Sequence, residues 1–176
     1  LDLKFNKSFF NLDKEYTLFM DLSDPKKIRS KLLDYLARRE HSDHELRTKL
    51  RKKVESIEEL ENQIDKLKIE GLIDNQRFSE AYIQSRLRKG FGPIRISQEL
   101  IQRGVNKEIF INILEDKDWI ELARSALLKK AKGRDLNDKQ IEVKIKQFLN
   151  YRGFNFLQID KAYESVKRNE MVDGQS

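Results

Sequence analysis

Four features of this 176-residue chain have the residue types and spacing from which chemistry is usually built. They are the histidines His41 and His44, the carboxylates Glu58, Glu59 and Glu61, the glycine pair in Gly90-Phe91-Gly92, and the arginines and lysines. The first three fail on inspection. A metal site needs further His, Cys or carboxylate ligands at suitable spacing, whereas His41 and His44 flank Ser42, which with Glu45 reads as a capping box at a helix start. Acids crowd the first turn of a helix because they complement its dipole, and the three glutamates follow Ser56 in that way. Gly90-Phe91-Gly92 has no GxxxxGK pattern and follows no strand, so it is not expected to cradle phosphates. There is no cysteine, hence no disulfide, thiolate ligand or thiol nucleophile. No nucleophile stands beside a base, so the chain reads as a non-enzyme without metal or cofactor.

What remains is charge. The net charge is +6, and its placement says more than its total. Residues 24–53 sum to +6, 54–75 to −5, 76–103 to +4, 104–122 to −3 and 123–152 to +6, with −1 at either end. The sign alternates with a period near fifty residues. Solubility alone would not confine the positive excess to the same part of each period. A positive surface repeated in this way suits an extended polyanion or an acidic groove. Such runs are also what an ordinary solvated face looks like, and Tyr82, Phe91 and Tyr151 suit core or helix joints as well as base stacking.

The elements that carry this charge are helical. Apolar residues recur at helix spacing in Ile28, Leu32 and Leu36, in Leu46 and Leu50, in Ile57, Leu60, Ile64 and Leu67, and in Phe78, Ala81 and Tyr82. Ile96 and Leu100, Phe110 and Ile113, Trp119 to Ala126, Ile141 to Leu149 and Ile159 to Val166 continue the pattern. Start signals stand at Asp24-Pro25, Ser42, Ser56, Pro93, Asn106, Asp118, Asn137 and Asn155. Arg103-Gly104-Val105-Asn106 returns forty-nine positions later as Arg152-Gly153-Phe154-Asn155, which marks a repeat architecture. The expected fold class is all-α, an elongated array of three tandem three-helix repeats at residues 23–73, 74–115 and 116–169. A three-helix unit this small buries little surface alone, so neighbours must stack. Residues 1–22 alternate apolar and polar, which suggests short strands or a hairpin, and 170–176 read as a frayed tail.

No apolar run approaches membrane-spanning length and nothing at the start resembles a signal peptide. Together with the missing cysteines, this predicts a reduced, cytoplasmic protein. The first residue is Leu rather than Met.

Several of these residues resemble the RecX family of recombinase regulators. They are Arg39-Glu40-His41-Ser42 with Glu45-Leu46-Arg47 and Lys49-Leu50, then Gly71-Leu72-Ile73-Asp74 with Arg77-Phe78 and Tyr82. Ser85-Arg86, Lys89-Gly90-Phe91-Gly92-Pro93, Ile96, Glu99-Leu100 and Phe148-Leu149 with Tyr151-Arg152-Gly153-Phe154 complete the set. The likeness covers about residues 28–166 and is most specific in its centre. It implies three tandem three-helix repeats and a non-enzymatic modulator. The implied partner is RecA, with the chain lodged in the groove of the RecA–single-stranded-DNA filament and suppressing ATP hydrolysis, strand exchange and co-cleavage of the SOS repressor. The target rests on the resemblance alone, and no membrane or oligomeric partner is implied. The candidate partner contacts, acting by electrostatic positioning, are Arg38, Arg39, Arg47, Arg51, Arg86, Arg88, Lys89, Arg95, Arg103, Lys146 and Arg152. Two other readings stay open: a helical repeat protein that binds DNA directly, and a passive helical adaptor between proteins.

Overall fold

Capping chemistry divides the chain into helices. In the computed structural model, which describes Leu22 and residues 24–173, α1 spans Pro25–Leu36, α2 Asp43–Leu50 and α3 Ile57–Ile69. They are followed by α4 Asn75–Arg88, α5 Pro93–Gln102, α6 Lys107–Glu115, α7 Trp119–Ala131, α8 Lys139–Arg152 and α9 Phe156–Asp173. The described residues thus form nine helices, and the only β pairing among them is an isolated bridge between Leu22 and Val54. The all-α class holds. The hairpin expected over residues 1–22 lies, Leu22 aside, outside the described residues.

Most start signals can be checked against a bond. Asp24 accepts from the Lys26 amide at 2.8 Å, Ser42 from Glu45 at 3.0 Å and Ser56 from Glu59 at 3.1 Å. Asp118 accepts from the amides of Ile120 and Glu121. Asn155 and Gln158 cap reciprocally, each side chain accepting the other's amide at 2.9 Å. One start moves: Asp138, not Asn137, caps α8 by accepting from the Gln140 amide at 2.7 Å. Its carboxylate is a stronger acceptor toward a helix N-terminus than the neighbouring amide. The last helix also continues to Asp173, four residues past its expected end, because nothing in Asn169–Val172 breaks a helix.

The helices fall into two units, one ending at Asp74 and the other beginning at Asn75. The first encloses a core of Leu22, Ile28, Leu32, Leu46, Leu50, Leu60, Ile64, Leu67 and Ile73. The second holds two cores. Phe78, Ile83, Ile96, Leu100, Val105, Phe110 and Leu114 form one. The other gathers side chains of α7, α8 and α9 around Ala123, Leu127, Ile145, Leu149, Phe154 and Ala162. Trp119 packs against both cores, and its indole N–H donates to the Leu114 carbonyl at 2.7 Å. Two expected core positions are instead exposed, Ile57 in the first turn of α3 and Ala81 on the outer side of α4. Neither side chain is needed to close a core that its neighbours already fill.

Burying a leucine fully stabilises by about 1.5–3 kcal/mol, and leaving a cavity adds to the cost of removing it. Leu32 is 0% exposed while its neighbour Leu33 is 37% exposed. Leu32→Ala should therefore lower stability by about 2–5 kcal/mol, and Leu33→Ala by less than about 0.5 kcal/mol. The midpoints of urea unfolding measure both.

Candidate partner interface

In the first unit the candidate cations differ in how firmly the fold holds them. Arg39, in the turn after α1, donates to Glu45 Oε2 at 2.8 Å and to the Glu40 carbonyl at 2.8 Å. Arg47 on α2 reaches Asp43 Oδ2 at 2.8 Å and Glu61 Oε2 on α3 at 2.7 Å. Burial opposes its charge, but the hydrogen bonds to Glu61 and Asp43 outweigh burial and hold its pKa above the usual guanidinium value. Arg47 thus ties α2 to α3. Arg38 and Arg51, at the ends of α1 and α2, are exposed and make no ion pair with a described residue.

His41 departs from its expected role. His44 is exposed in the first turn of α2, as a polar helix start would be, but His41 is only 3% exposed. Its Nδ1 lies 2.9 Å from the Arg39 carbonyl, which can only accept, so Nδ1 carries the hydrogen. The ring packs on Tyr35 with centroids 5.8 Å apart. Burial lowers its pKa below the ordinary value; the Arg39 carbonyl pulls the other way and the nearby Arg39 charge adds to the lowering. Among the described residues, no group of three or more His, Cys, Asp or Glu is placed to hold a metal ion.

In the second unit the joint between α4 and α5 lies against the joint between α8 and α9. The Gly92 amide donates to the Arg152 carbonyl at 2.8 Å, and the Ile94 amide to the Gly153 carbonyl at 3.1 Å. Neither glycine has room for a side chain. A Cβ on Gly92 would collide with the Gly153 carbonyl group, and one on Gly153 would stand 2.5 Å from the backbone nitrogen of Arg95. Gly153 also has φ +92°, which disfavours any residue with a Cβ.

Around this joint, cations and rings alternate. Arg95 lies over the rings of Tyr151 (5.1 Å) and Phe91 (4.6 Å), and Arg152 over Phe91 (4.7 Å) and Phe148 (4.9 Å). Lys130 covers Phe148 at 5.1 Å. A side branch runs from Phe91 through Arg86 and Tyr82 to Arg103. One carboxylate anchors the branch. Glu99 is 2.7 Å from Arg86 Nε, accepts from Arg95 Nε at 3.1 Å and accepts from the Tyr82 hydroxyl at 2.8 Å. Burial pushes its pKa up, but the Tyr82 and Arg95 hydrogen bonds and the charges of Arg86 and Arg95 bring it below the usual carboxylate value. Arg103 donates to the Glu99 carbonyl and Arg152 to the Lys89 carbonyl, at 2.8 and 2.5 Å.

Lys146 stands apart from this group. It bridges α8 to α9 through Glu142 Oε1 (3.0 Å) and Asp160 Oδ1 (2.7 Å), and the Asp160 bond chiefly raises its pKa. Arg88 and Lys89, at the end of α4, are exposed and make no ion pair with a described residue. They line a cavity of about 340 Å³ together with Arg152, Lys129 and Lys130. The two lysines near the end of α7 are candidates that sequence reasoning passed over. Their signal was present, since no acid lies between Glu121 and Asp135. Tyr82 and Phe91 are half-buried under arginines, whereas Tyr151 is 73% exposed.

Residues 29–67 match the model of the first three-helix domain of RecX, and residues 74–110 match that of the second. A regulatory protein RecX of Ectopseudomonas mendocina is 38% identical over 136 residues, spanning 76% of this chain and 91% of that protein. One from Halorhodospira halophila is 36% identical over 145 residues, spanning 81% and 90%. The chain belongs to the RecX family. The crystal structure of RecX from Lactobacillus salivarius superposes with a TM-score of 0.70 at 23% identity, covering 81% of this chain and 96% of that one. A second RecX crystal structure gives 0.66 at 25% identity, covering 82% and 71%. RecX proteins are named as regulatory proteins, and the residues around His41 and Gly92 fall within the two matched domains.

Two outcomes follow from this geometry. Because the folded state disfavours His41 protonation, its contribution to stability is complete above the unfolded-state pKa of about 6.5 and declines as pH falls through that value. Wild type should lose more stability between pH 7.5 and 5.5 than His41→Asn, read from urea midpoints at each pH. Gly153→Ala should cost more than about 1 kcal/mol, and more than Gly71→Ala. Gly71 has φ +72° but nothing within 4 Å of its added Cβ. Thermal unfolding of the two variants gives the comparison.

Proposed function

We propose that the chain is a non-enzymatic, monomeric cytoplasmic regulator that binds RecA in the groove of the RecA–single-stranded-DNA filament. Binding there lowers ATP turnover, strand exchange and co-cleavage of the SOS repressor. What carries the reading is membership of the RecX family; the exposed cations make it physically specific. Arg38, Arg51, Arg88 and Lys89 make no ion pair with a described residue, so their charge is available to DNA phosphates or acidic groove walls. Arg39, Arg47, Arg86, Arg95, Arg103 and Lys146 are largely committed to internal partners. In this reading they hold the surface in shape and Arg152 serves both ends.

Titrating the purified chain into RecA–DNA filaments while following ATP hydrolysis tests this directly. Arg38→Glu, Arg51→Glu, Arg88→Glu and Lys89→Glu combined should weaken inhibition roughly tenfold or more, as expected when several interface charges are reversed. Glu55→Lys with Glu58→Lys, both exposed in the first unit, should change it little. Equal loss from both sets, with helicity intact, would remove the electrostatic part of the proposal. A wild-type chain inert toward filaments would remove RecA, leaving the adaptor reading.

A further inference from the structure

The cavity beside the α4–α5 joint has a composition that internal structure does not explain. Arg88, Lys89, Lys129, Lys130, Arg152 and the hydroxyl-bearing Ser125 supply its polar lining, and no carboxylate lines it. Leu87, Leu122, Ala126 and Phe148 supply the apolar part. Five positive groups around one space repel one another, and the chain provides no counter-charge there. Two of the five are nonetheless held in position. The Phe148 ring carries Arg152 at 4.9 Å and Lys130 at 5.1 Å, and Arg152 is further fixed by the Lys89 carbonyl. A preorganised, acid-free cluster of Arg and Lys matches an oxyanion that accepts several charged hydrogen bonds.

A second observation narrows the oxyanion to one source. From the cavity the stack of cations and rings continues through Arg152, Phe91 and Arg95 to Tyr151, whose side is open to solvent. An aromatic ring held by a guanidinium yet exposed is a platform on which an unpaired base stacks. An acidic peptide would use the cavity but has no need of the ring, and duplex DNA keeps its bases inside. We propose that this cavity holds a backbone phosphate of single-stranded nucleic acid, with Tyr151 stacking a base of the same strand. The site goes beyond filament docking because it requires no RecA, and it adds Lys129, Lys130 and Tyr151 to the working surface.

The test is fluorescence anisotropy of a labelled oligo(dT) titrated with the full chain at several salt concentrations, without RecA. Lys129→Glu with Lys130→Glu should weaken binding roughly tenfold or more and reduce the salt slope by about 0.7, the contribution of the one phosphate no longer neutralised. Tyr151→Ala should weaken it by roughly tenfold, the loss of one stacked base. Lys52→Glu with Lys53→Glu, exposed in the first unit, applies the same charge change and should matter far less. Lys130→Gln, which removes charge without reversing it, should give a smaller loss in the same direction with circular dichroism unchanged.

The proposal is overturned if wild type does not bind oligo(dT), or if the cavity variants bind it as wild type does. It is equally overturned if polyglutamate displaces the oligonucleotide as well as unlabelled oligo(dT) does while Tyr151→Ala is silent, since that assigns the cavity to an acidic peptide. Tighter binding to duplex with Tyr151→Ala silent would also sink it. Measuring RecA ATPase inhibition on the same proteins separates the two readings. Inhibition without oligonucleotide binding removes only the cavity site, and oligonucleotide binding without inhibition removes only the filament reading.

Discussion

Two backbone joints pressed together without side chains between them hold the second unit in its working form. The joints approach so closely that Gly153 leaves no room for a Cβ on Gly92 and Arg95 leaves none for a Cβ on Gly153, and two amide–carbonyl hydrogen bonds cross the gap. Bulk at either position would push α5 away from the end of α8. Everything built on that proximity would then move. Arg95 would leave Tyr151, Arg152 would leave Phe91 and Lys89, and the cavity wall would open on one side. A steric condition at two glycines thus decides where Arg95 and Arg152 stand.

Charge in this protein serves two purposes, and the structure separates them. Arg47 and Lys146 tie one helix to the next through carboxylates on both. Arg86 and Arg95 share Glu99, so one acid partly neutralises two bases in the middle of a basic surface. Such pairs contribute modestly to stability when exposed, and more through the geometry they impose. Among the exposed positive charges that make no ion pair with a described residue, Arg38, Arg51, Arg88 and Lys89 lie at helix ends, with Lys129 and Lys130 near the end of α7. Only a charge not already satisfied within the chain can be offered to a partner.

Much of the architecture was legible because helix signals are local. Asp24, Ser42, Ser56 and Asp118 each cap where their side chains reach the next free amides, and apolar spacing marked most of the residues that form the three cores. The misreadings all concern which side of a local pattern the fold covers. Ile57 and Ala81 fit the apolar period, yet which side of a helix is covered depends on neighbours far away in sequence. His41 stands next to a polar cap and looks like part of it, but Tyr35, six residues earlier, takes its ring into the interior. Its neighbour His44 has the same composition around it and stays in water.

Sequence alone settled the helical class and most of the helix starts, because these depend on residues within one or two turns of each other, and it displayed the repeated Arg-Gly signature and the alternation of charge directly. It could not sort the arginines. Arg86 and Arg88 are two positions apart on one helix, yet the first is bound to Glu99 and the second makes no ion pair with a described acid. That difference arises because Glu99 of α5 reaches Arg86, while Arg88 borders the cavity lined by α7 and α8. Pairing, burial and the shape of the basic cavity are properties of different helices brought together, and only the folded chain decides them.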